Sequence, residues 1–380
     1  MRIVHIVGAR PNFMKVAPVI RALSELGPVE QILIHTGQHY DDALSAEFFE
    51  DLELPRPHLN LGVGSGSHAM QTGRIMIALE PALERIQPDW VFTVGDVNST
   101  LAAALVAAKL QIPVAHVEAG LRSHDPSMPE EINRVLTDHI SDALFTTEPS
   151  ANENLRREGV SEEKIHFVGN VMIDSLDYYL ERARELDIDE AMGLDRGDYV
   201  LVTLHRPNNV DVRARLSGIL AALGEVSSFH PVVFPVHPRT ARNVKQFDLE
   251  GALAPLSILG PIRYLEFLAL MDRAGVVITD SGGIQEETMV LGVPCITLRP
   301  HTERPITLLE GTNRIFDGDL NDLVDIVLRA VRTERRPHRP RQWDGNAARR
   351  IAQITCNELA AFRPSSLEYA QRQEAPMAAS

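Results

Sequence analysis

The sequence predicts an α/β protein made of two Rossmann-like, doubly wound domains that face each other across a cleft. Three observations lead there. Short Val/Ile-rich runs alternate with longer helical patterns, the mark of a parallel sheet. The alternation halts at a bridging helix near 174–186 and a charged stretch up to Gly197, then restarts. In both halves polar residues gather just after the apolar runs, at the carboxyl ends where open parallel sheets bind ligands. A length of 380 residues also favours two cores over one, since single cores rarely grow past roughly 250–300 residues.

In the first half the expected strands are 3–7, 31–36, 90–94, 114–117, 142–147 and 164–168. The first ends in Gly8-Ala9-Arg10-Pro11 and a helix to about residue 26, so Arg10 and Lys15 flank a turn suited to gripping phosphate oxygens. No G-x-G-x-x-G opens either half, which argues against a dinucleotide redox cofactor, and no cofactor is expected. The second strand ends in Gly37-Gln38-His39, which makes Gln38 and His39 candidates for contacting substrate. The third ends in Gly95-Asp96, and the fourth runs through His116 to Glu118. Glu130 and Glu131 follow Pro129, a favoured first helical residue, and Arg134 stands at ion-pair spacing from Glu130. Each of these acids, read singly, is helix capping or surface charge. Converging at one sheet edge, Asp96, Glu118, Glu130 and Glu131 would supply a general acid and a general base with separated proton affinities.

The second half has expected strands at 199–203, 232–236, 257–259, 276–279, 295–298 and 314–316, with helices such as 212–226 and 263–271 between them. His205 ends the first strand and His237 the next. After the fourth comes Thr279-Asp280-Ser281-Gly282-Gly283, opening a helix that carries Glu286 and Glu287. Two adjacent glycines let backbone approach a ligand, and the free N–H groups of a first helical turn attract an anion. A phosphate or diphosphate fits that turn, with Glu287 accepting from sugar hydroxyls one turn later and Glu286 given no role. A plain helix N-terminus, where Ser, Gly and Glu are all locally favoured, accounts for this segment taken by itself.

Composition limits the partners. A net charge of −15 argues against nucleic acid or an acidic membrane. Cys295 and Cys356 are the only cysteines, which fits a reducing cytosol. No apolar run reaches the roughly 18 residues of a membrane span, and residues 1–7 read as a strand rather than a signal peptide. A cytoplasmic protein is expected. No His/Cys grouping has metal-site spacing, and Ser281 lies outside a nucleophile-elbow pattern.

Taken together, Gly8-Ala9-Arg10-Pro11 with Lys15, Gly37-Gln38-His39, Gly95-Asp96, the run from His116 to Arg122, the run from Pro129 to Arg134, His205-Arg206, Thr279 to Glu287, Thr302-Glu303-Arg304-Pro305, Gly311-Thr312 and Asp344-Gly345 resemble the non-hydrolysing UDP-N-acetylglucosamine 2-epimerases. They lie in the family's order from about residue 1 to 355. The resemblance implies a glycosyltransferase-B-like pair of domains, at 1–172 and 173–350. It adds a final helix at 351–363 that packs back on the first domain, ahead of a polar tail at 364–380 expected to be disordered. It also implies a homodimer and a UDP-sugar substrate serving cell-surface polysaccharide synthesis. By the same likeness Asp96, Glu118 and Glu130 are the acid/base carboxylates with Arg134 beside them. Arg10 and Lys15 lie near phosphate and sugar, His205 at the diphosphate, and Ser281 and Gly282 at the diphosphate on the helix terminus. Glu287 meets the ribose, Phe267 the uracil face and Arg304 the phosphate side.

Pro207-Asn208-Asn209, Tyr40-Asp41 and Pro305-Ile306 depart from the best-known bacterial members. The first two departures touch the family's second, activating site, and the third points to a subgroup that acts on a modified sugar. The alternatives are therefore a 2-epimerase of a diacetamido-uronic acid nucleotide, a hydrolysing 2-epimerase, a retaining glycosyltransferase of the same fold, and a silent UDP-sugar sensor.

Overall fold

Parallel strands covered on both faces read as near-continuous apolar runs, and the central strands here, such as Trp90–Val94, follow that rule. A computed structural model describes residues 1–38 and 51–357. His39, residues 358–363 of the expected final helix and the tail 364–380 lie outside the described residues, as does the side chain of Arg10. The chain divides into two compact units, one of Met1–Asp174 with the return from Gln342 and the other of Ser175–Arg341.

The N-terminal unit runs β1 (Arg2–Val7), α1 (Arg10–Leu26), β2 (Glu30–His35), β3 (Leu59–Asn60), α2 (His68–Ile86), β4 (Trp90–Val94), α3 (Asn98–Lys109), β5 (Val114–Ala119), α4 (Pro129–Ile140), β6 (Ala143–Thr146), α5 (Pro149–Arg157) and β7 (Ile165–Phe167). The strands form one sheet in the order β3-β2-β1-β4-β5-β6-β7, with every pairing parallel. Every residue of β4 and β5 is buried. Val4, Ile6 and Val91 of the sheet pack with Leu79 and Leu83 of α2 and Ala103 and Val106 of α3 in one apolar cluster. The two-residue β3 is too short to leave an alternating pattern in the sequence.

The C-terminal unit takes in most of α6 (Val171–Arg184), then α7 (Ile188–Ala191), β8 (Val200–Thr203), α8 (Pro207–Val210), α9 (Arg213–Val226), β9 (Val232–Pro235), α10 (Pro238–Gln246), β10 (Ser257–Leu259), α11 (Tyr264–Arg273), β11 (Val276–Thr279), α12 (Gly282–Leu291), β12 (Cys295–Thr297), α13 (Ile306–Leu309), β13 (Asn313–Ile315) and α14 (Leu320–Val331). Its parallel sheet runs β10-β9-β8-β11-β12-β13. Counted within each unit, the order reads 3-2-1-4-5-6 in both, with a seventh strand closing the first. The reversal of that order falls between β1 and β4 in one unit and between β8 and β11 in the other, the place where such sheets take ligands.

The return at Gln342 is tied to the N-terminal unit. Trp343 is fully buried and donates its indole N–H to the Thr147 carbonyl at 2.8 Å. The Asp174 carboxylate caps the last helix, α15 (Ala347–Asn357), by accepting from the Ala347 and Ala348 N–H groups at 3.1 and 2.6 Å. That helix packs along α1.

Candidate active site

At the switch point of the N-terminal unit, the turn after β1 and the end of β4 are stitched together by Asn12. Its side-chain oxygen accepts from the Gly8 and Ala9 N–H groups at 3.1 and 3.0 Å, and its amide donates to the Val94 carbonyl at 2.9 Å. One turn further along α1, Lys15 is buried and ion-paired with Glu118 at the end of β5. Gly95 carries φ +68°, and a Cβ there would stand 3.0 Å from Lys15 Nζ and 3.3 Å from Glu118 Oε2. A glycine at 95 is therefore what lets the ion pair lie beneath the turn that presents Asp96.

Asp96 is ion-paired with Arg134 of α4, whose guanidinium also donates to Glu131 at 2.8 Å. Glu131 accepts from the Ser123 and His124 N–H groups at 2.8 and 3.0 Å, anchoring the loop that precedes α4. Burial pushes the Glu131 carboxyl up, but the Ser123 N–H and Arg134 hold it below the usual carboxylate range. Glu131 is thus committed to structure, whereas Glu130 beside it is half-buried on the first turn of α4. The fold accordingly gathers Lys15, Asp96, Glu118 and Arg134 at the ends of β4 and β5. In the same unit the Gln38 side-chain oxygen accepts from Ser99 N and Oγ at 3.1 and 2.6 Å and so holds the start of α3.

In the C-terminal unit the corresponding turn is organised by Asp280, a fully buried carboxylate at the end of β11. It accepts from the His205 N–H at 3.1 Å, the Arg206 N–H at 2.9 Å and the Asn209 amide at 3.1 Å, and its Oδ1 lies 2.9 Å from His205 Nδ1. Burial pushes Asp280 up, but the His205 ring and these donors hold its carboxyl below the usual range. Nδ1 is thereby engaged, and the His205 side chain keeps 38% of its surface exposed. The His237 ring lies 5.5 Å from the His205 ring, and its Nδ1 accepts from the Arg239 N–H at 3.2 Å.

Ser281 precedes α12, and its N–H donates to Thr279 Oγ1 at 3.0 Å. Gly282 opens the helix against Arg304, where an added Cβ would meet the guanidinium at 2.4 Å. A glycine is needed for a cation to lie over the helix N-terminus, and Gly283 follows it. Glu286 is buried and paired with Arg304 Nε at 2.8 Å. Glu303 stands 2.8 Å from Arg299, 3.7 Å from Arg206 and 3.9 Å from Arg304. The guanidiniums of Arg206, Arg299 and Arg304 thus lie about Glu286 and Glu303, beside the N-terminus of α12 that attracts anions. Glu287 accepts from the Tyr264 hydroxyl at 2.9 Å. Burial pushes its carboxyl up to about 8, opposed by the Tyr264 hydroxyl and assisted by nearby Glu286. Phe267 is one turn along α11 from Tyr264, on the same face.

The two glutamates therefore do not repel an anion at this turn. Glu286 is neutralised by Arg304, and Glu287 favours its uncharged form at neutral pH. The sequence assigns no individual role to Asn12, Asp280, Asn209 or Tyr264. Asp280 had one local signal, an acid wedged between a buried strand and Ser281, while the other three carry none. Among the described residues no group of His, Cys, Asp and Glu could hold a metal ion, and no helix is long and apolar enough to cross a membrane.

A family model described as UDP-N-acetylglucosamine 2-epimerase matches residues 21–355. The chain is 44% identical over 367 residues to the UDP-N-acetylglucosamine 2-epimerase of Methanocaldococcus jannaschii, covering 93% of this chain and 98% of that one. It is 42% identical over 328 residues to the UDP-2,3-diacetamido-2,3-dideoxy-D-glucuronate 2-epimerase of Pseudomonas aeruginosa, covering 85% and 90%. The crystal structure of the M. jannaschii enzyme in complex with UDP-GlcNAc and UDP superposes with a TM-score of 0.87 at 43% identity, over 94% of this chain and 99% of that one. By sequence and by fold, the chain belongs to the UDP-N-acetylglucosamine 2-epimerase family.

Proposed function

We propose that the protein inverts C2 of UDP-N-acetylglucosamine, giving UDP-N-acetylmannosamine without net hydrolysis, and that it works as a homodimer. The observation that carries this reading is the pair of cation-bound carboxylates, Glu118 with Lys15 and Asp96 with Arg134, at the ends of adjacent strands. The C2 hydrogen beside an acetamido nitrogen is not α to a carbonyl, so direct deprotonation there is implausible. Elimination avoids the difficulty. One carboxylate takes the C2 proton as the C1–O bond breaks and its electron pair leaves with UDP, and a glycal remains. A second carboxylate then protonates C2 from the opposite face while a UDP oxygen re-forms the bond to C1.

This route needs acids and bases of unlike character and a firm hold on the departing diphosphate. Arg134 presents a planar, delocalised guanidinium to Asp96, whereas Lys15 presents a compact ammonium to Glu118. The two carboxylates therefore start from unlike partners. The diphosphate is assigned to Ser281, Gly282, His205 and Arg304, the ribose to Glu287 and the uracil to Phe267. Purified protein incubated with UDP-N-acetylglucosamine in deuterated water should give UDP-N-acetylmannosamine carrying deuterium at C2, read by proton NMR. Free N-acetylmannosamine would identify a hydrolysing enzyme, and neither product would reject the substrate. A diacetamido-uronate nucleotide is the second reading, favoured by Pro305-Ile306 and by the Pseudomonas relative, and a panel of UDP-sugars separates the two.

A further inference from the structure

Glu118 carries φ +72°, and among the described residues it is the one non-glycine in a strand with positive φ. A glutamate gains nothing locally from that left-handed region, so contacts elsewhere must hold it there. The β5–β6 register also shifts between Val117 and Ala119, the kind of irregularity that re-aims a side chain.

One residue grips the backbone on either side of it. Asp138, fully buried on α4, accepts from His116 Nδ1 at 2.6 Å with one oxygen. Its other oxygen accepts from the Gly120 N–H at 3.0 Å and from Arg122 at 2.7 Å. This carboxylate therefore grips the chain two residues before and two residues after Glu118. The far nitrogen of His116 donates to the Gly95 carbonyl at 2.7 Å, the residue before Asp96. Arg122 is braced in turn by Glu158 at 2.8 and 2.6 Å.

We propose that Asp138 is a positioning residue for the C2 chemistry: it holds Glu118 in its left-handed conformation and, through His116, fixes the turn that carries Asp96. Both acid/base carboxylates are thus referred to one buried anchor that touches no substrate. The inference rests on the reading of Glu118 as an acid/base group.

The test is a double-mutant cycle on the full chain, following C2 deuterium incorporation, kcat, KM and UDP binding stoichiometry. Asp138→Asn keeps the shape of the side chain but loses an acceptor. It should lower kcat by about 10–100-fold, as a small misplacement of a catalytic group does, with KM and UDP stoichiometry unchanged. Groups that act as a unit are non-additive, so adding D138N to E118Q should lower the residual rate by a clearly smaller factor than D138N lowers the wild-type rate, the remainder acting through Asp96. A D138N enzyme with wild-type kcat, or one whose full factor multiplies onto E118Q, overturns the inference. An E118Q enzyme with wild-type kcat instead overturns the acid/base reading of Glu118. Should D138N fail to bind UDP stoichiometrically, His116→Asn, which keeps the Asp138–Arg122 pair, goes through the same cycle with the same criteria.

Discussion

At the switch point of the N-terminal unit, the groups reaching the sheet edge are ions paired with one another, Glu118 with Lys15 and Asp96 with Arg134. At the equivalent point of the C-terminal unit the carboxylate, Asp280, is fully buried and holds the turn together from within. What surrounds that turn is cationic or N–H in character: the half-exposed His205 ring, Ser281, Gly282 and the buried Arg304. The strand order is the same in both, so topology places a site without deciding its chemistry. Carboxylates at strand ends suit proton transfer, whereas donors backed by a buried acid suit an anion.

That contrast is broken most severely by variants of the N-terminal acids. Asp96→Asn and Glu118→Gln should each lower kcat by about 10²–10⁴-fold, the range for losing a general acid or base, while UDP affinity measured by calorimetry stays within about 3-fold. A large loss of UDP affinity in either variant would merge the two roles. Next in size is Asp280→Asn, which removes the charged acceptor behind His205. Hydrogen bonds to charged groups contribute about 1.5–3 kcal/mol, so UDP should bind roughly 10–100-fold more weakly. An unchanged UDP affinity would deny Asp280 that role.

Titration gives a subtler contrast inside the C-terminal unit. Glu287, at about 8, lies above its unfolded value. The folded state therefore holds a proton that the unfolded chain has released, and stability falls as pH rises from roughly 4.3 toward 8. Asp280 lies below its unfolded value, so its contribution is present above about pH 4 and is lost as pH falls further. Thermal melts should show that Glu287→Gln flattens the decline between about pH 4.3 and 8 and leaves the limb below about pH 4 alone. A decline that persists in E287Q would place its cause elsewhere. The smallest effect is expected at an exposed pair such as Arg157–Glu153, where Arg157→Ala should shift Tm by no more than about 2 °C. A larger shift there would mean that surface charge stabilises this unit more than exposed ion pairs ordinarily do.

The sequence by itself determined the alternation of strands and helices and the residues at strand ends. Both are local: a strand covered on two faces must be a continuous apolar run, and a binding turn must interrupt it with polar or glycine residues. Asp96, Glu118, His205 and Ser281 are legible in that way. Only the tertiary structure decided what holds them. Asp138 meets His116 across 22 residues, Tyr264 meets Glu287 across 23 and Asn209 meets Asp280 across 71. Such pairings follow from strand register and helix placement, which leave no periodic trace along the chain. The positive φ of Glu118 is equally silent, because glutamate has no preference for that conformation and only the surrounding contacts impose it.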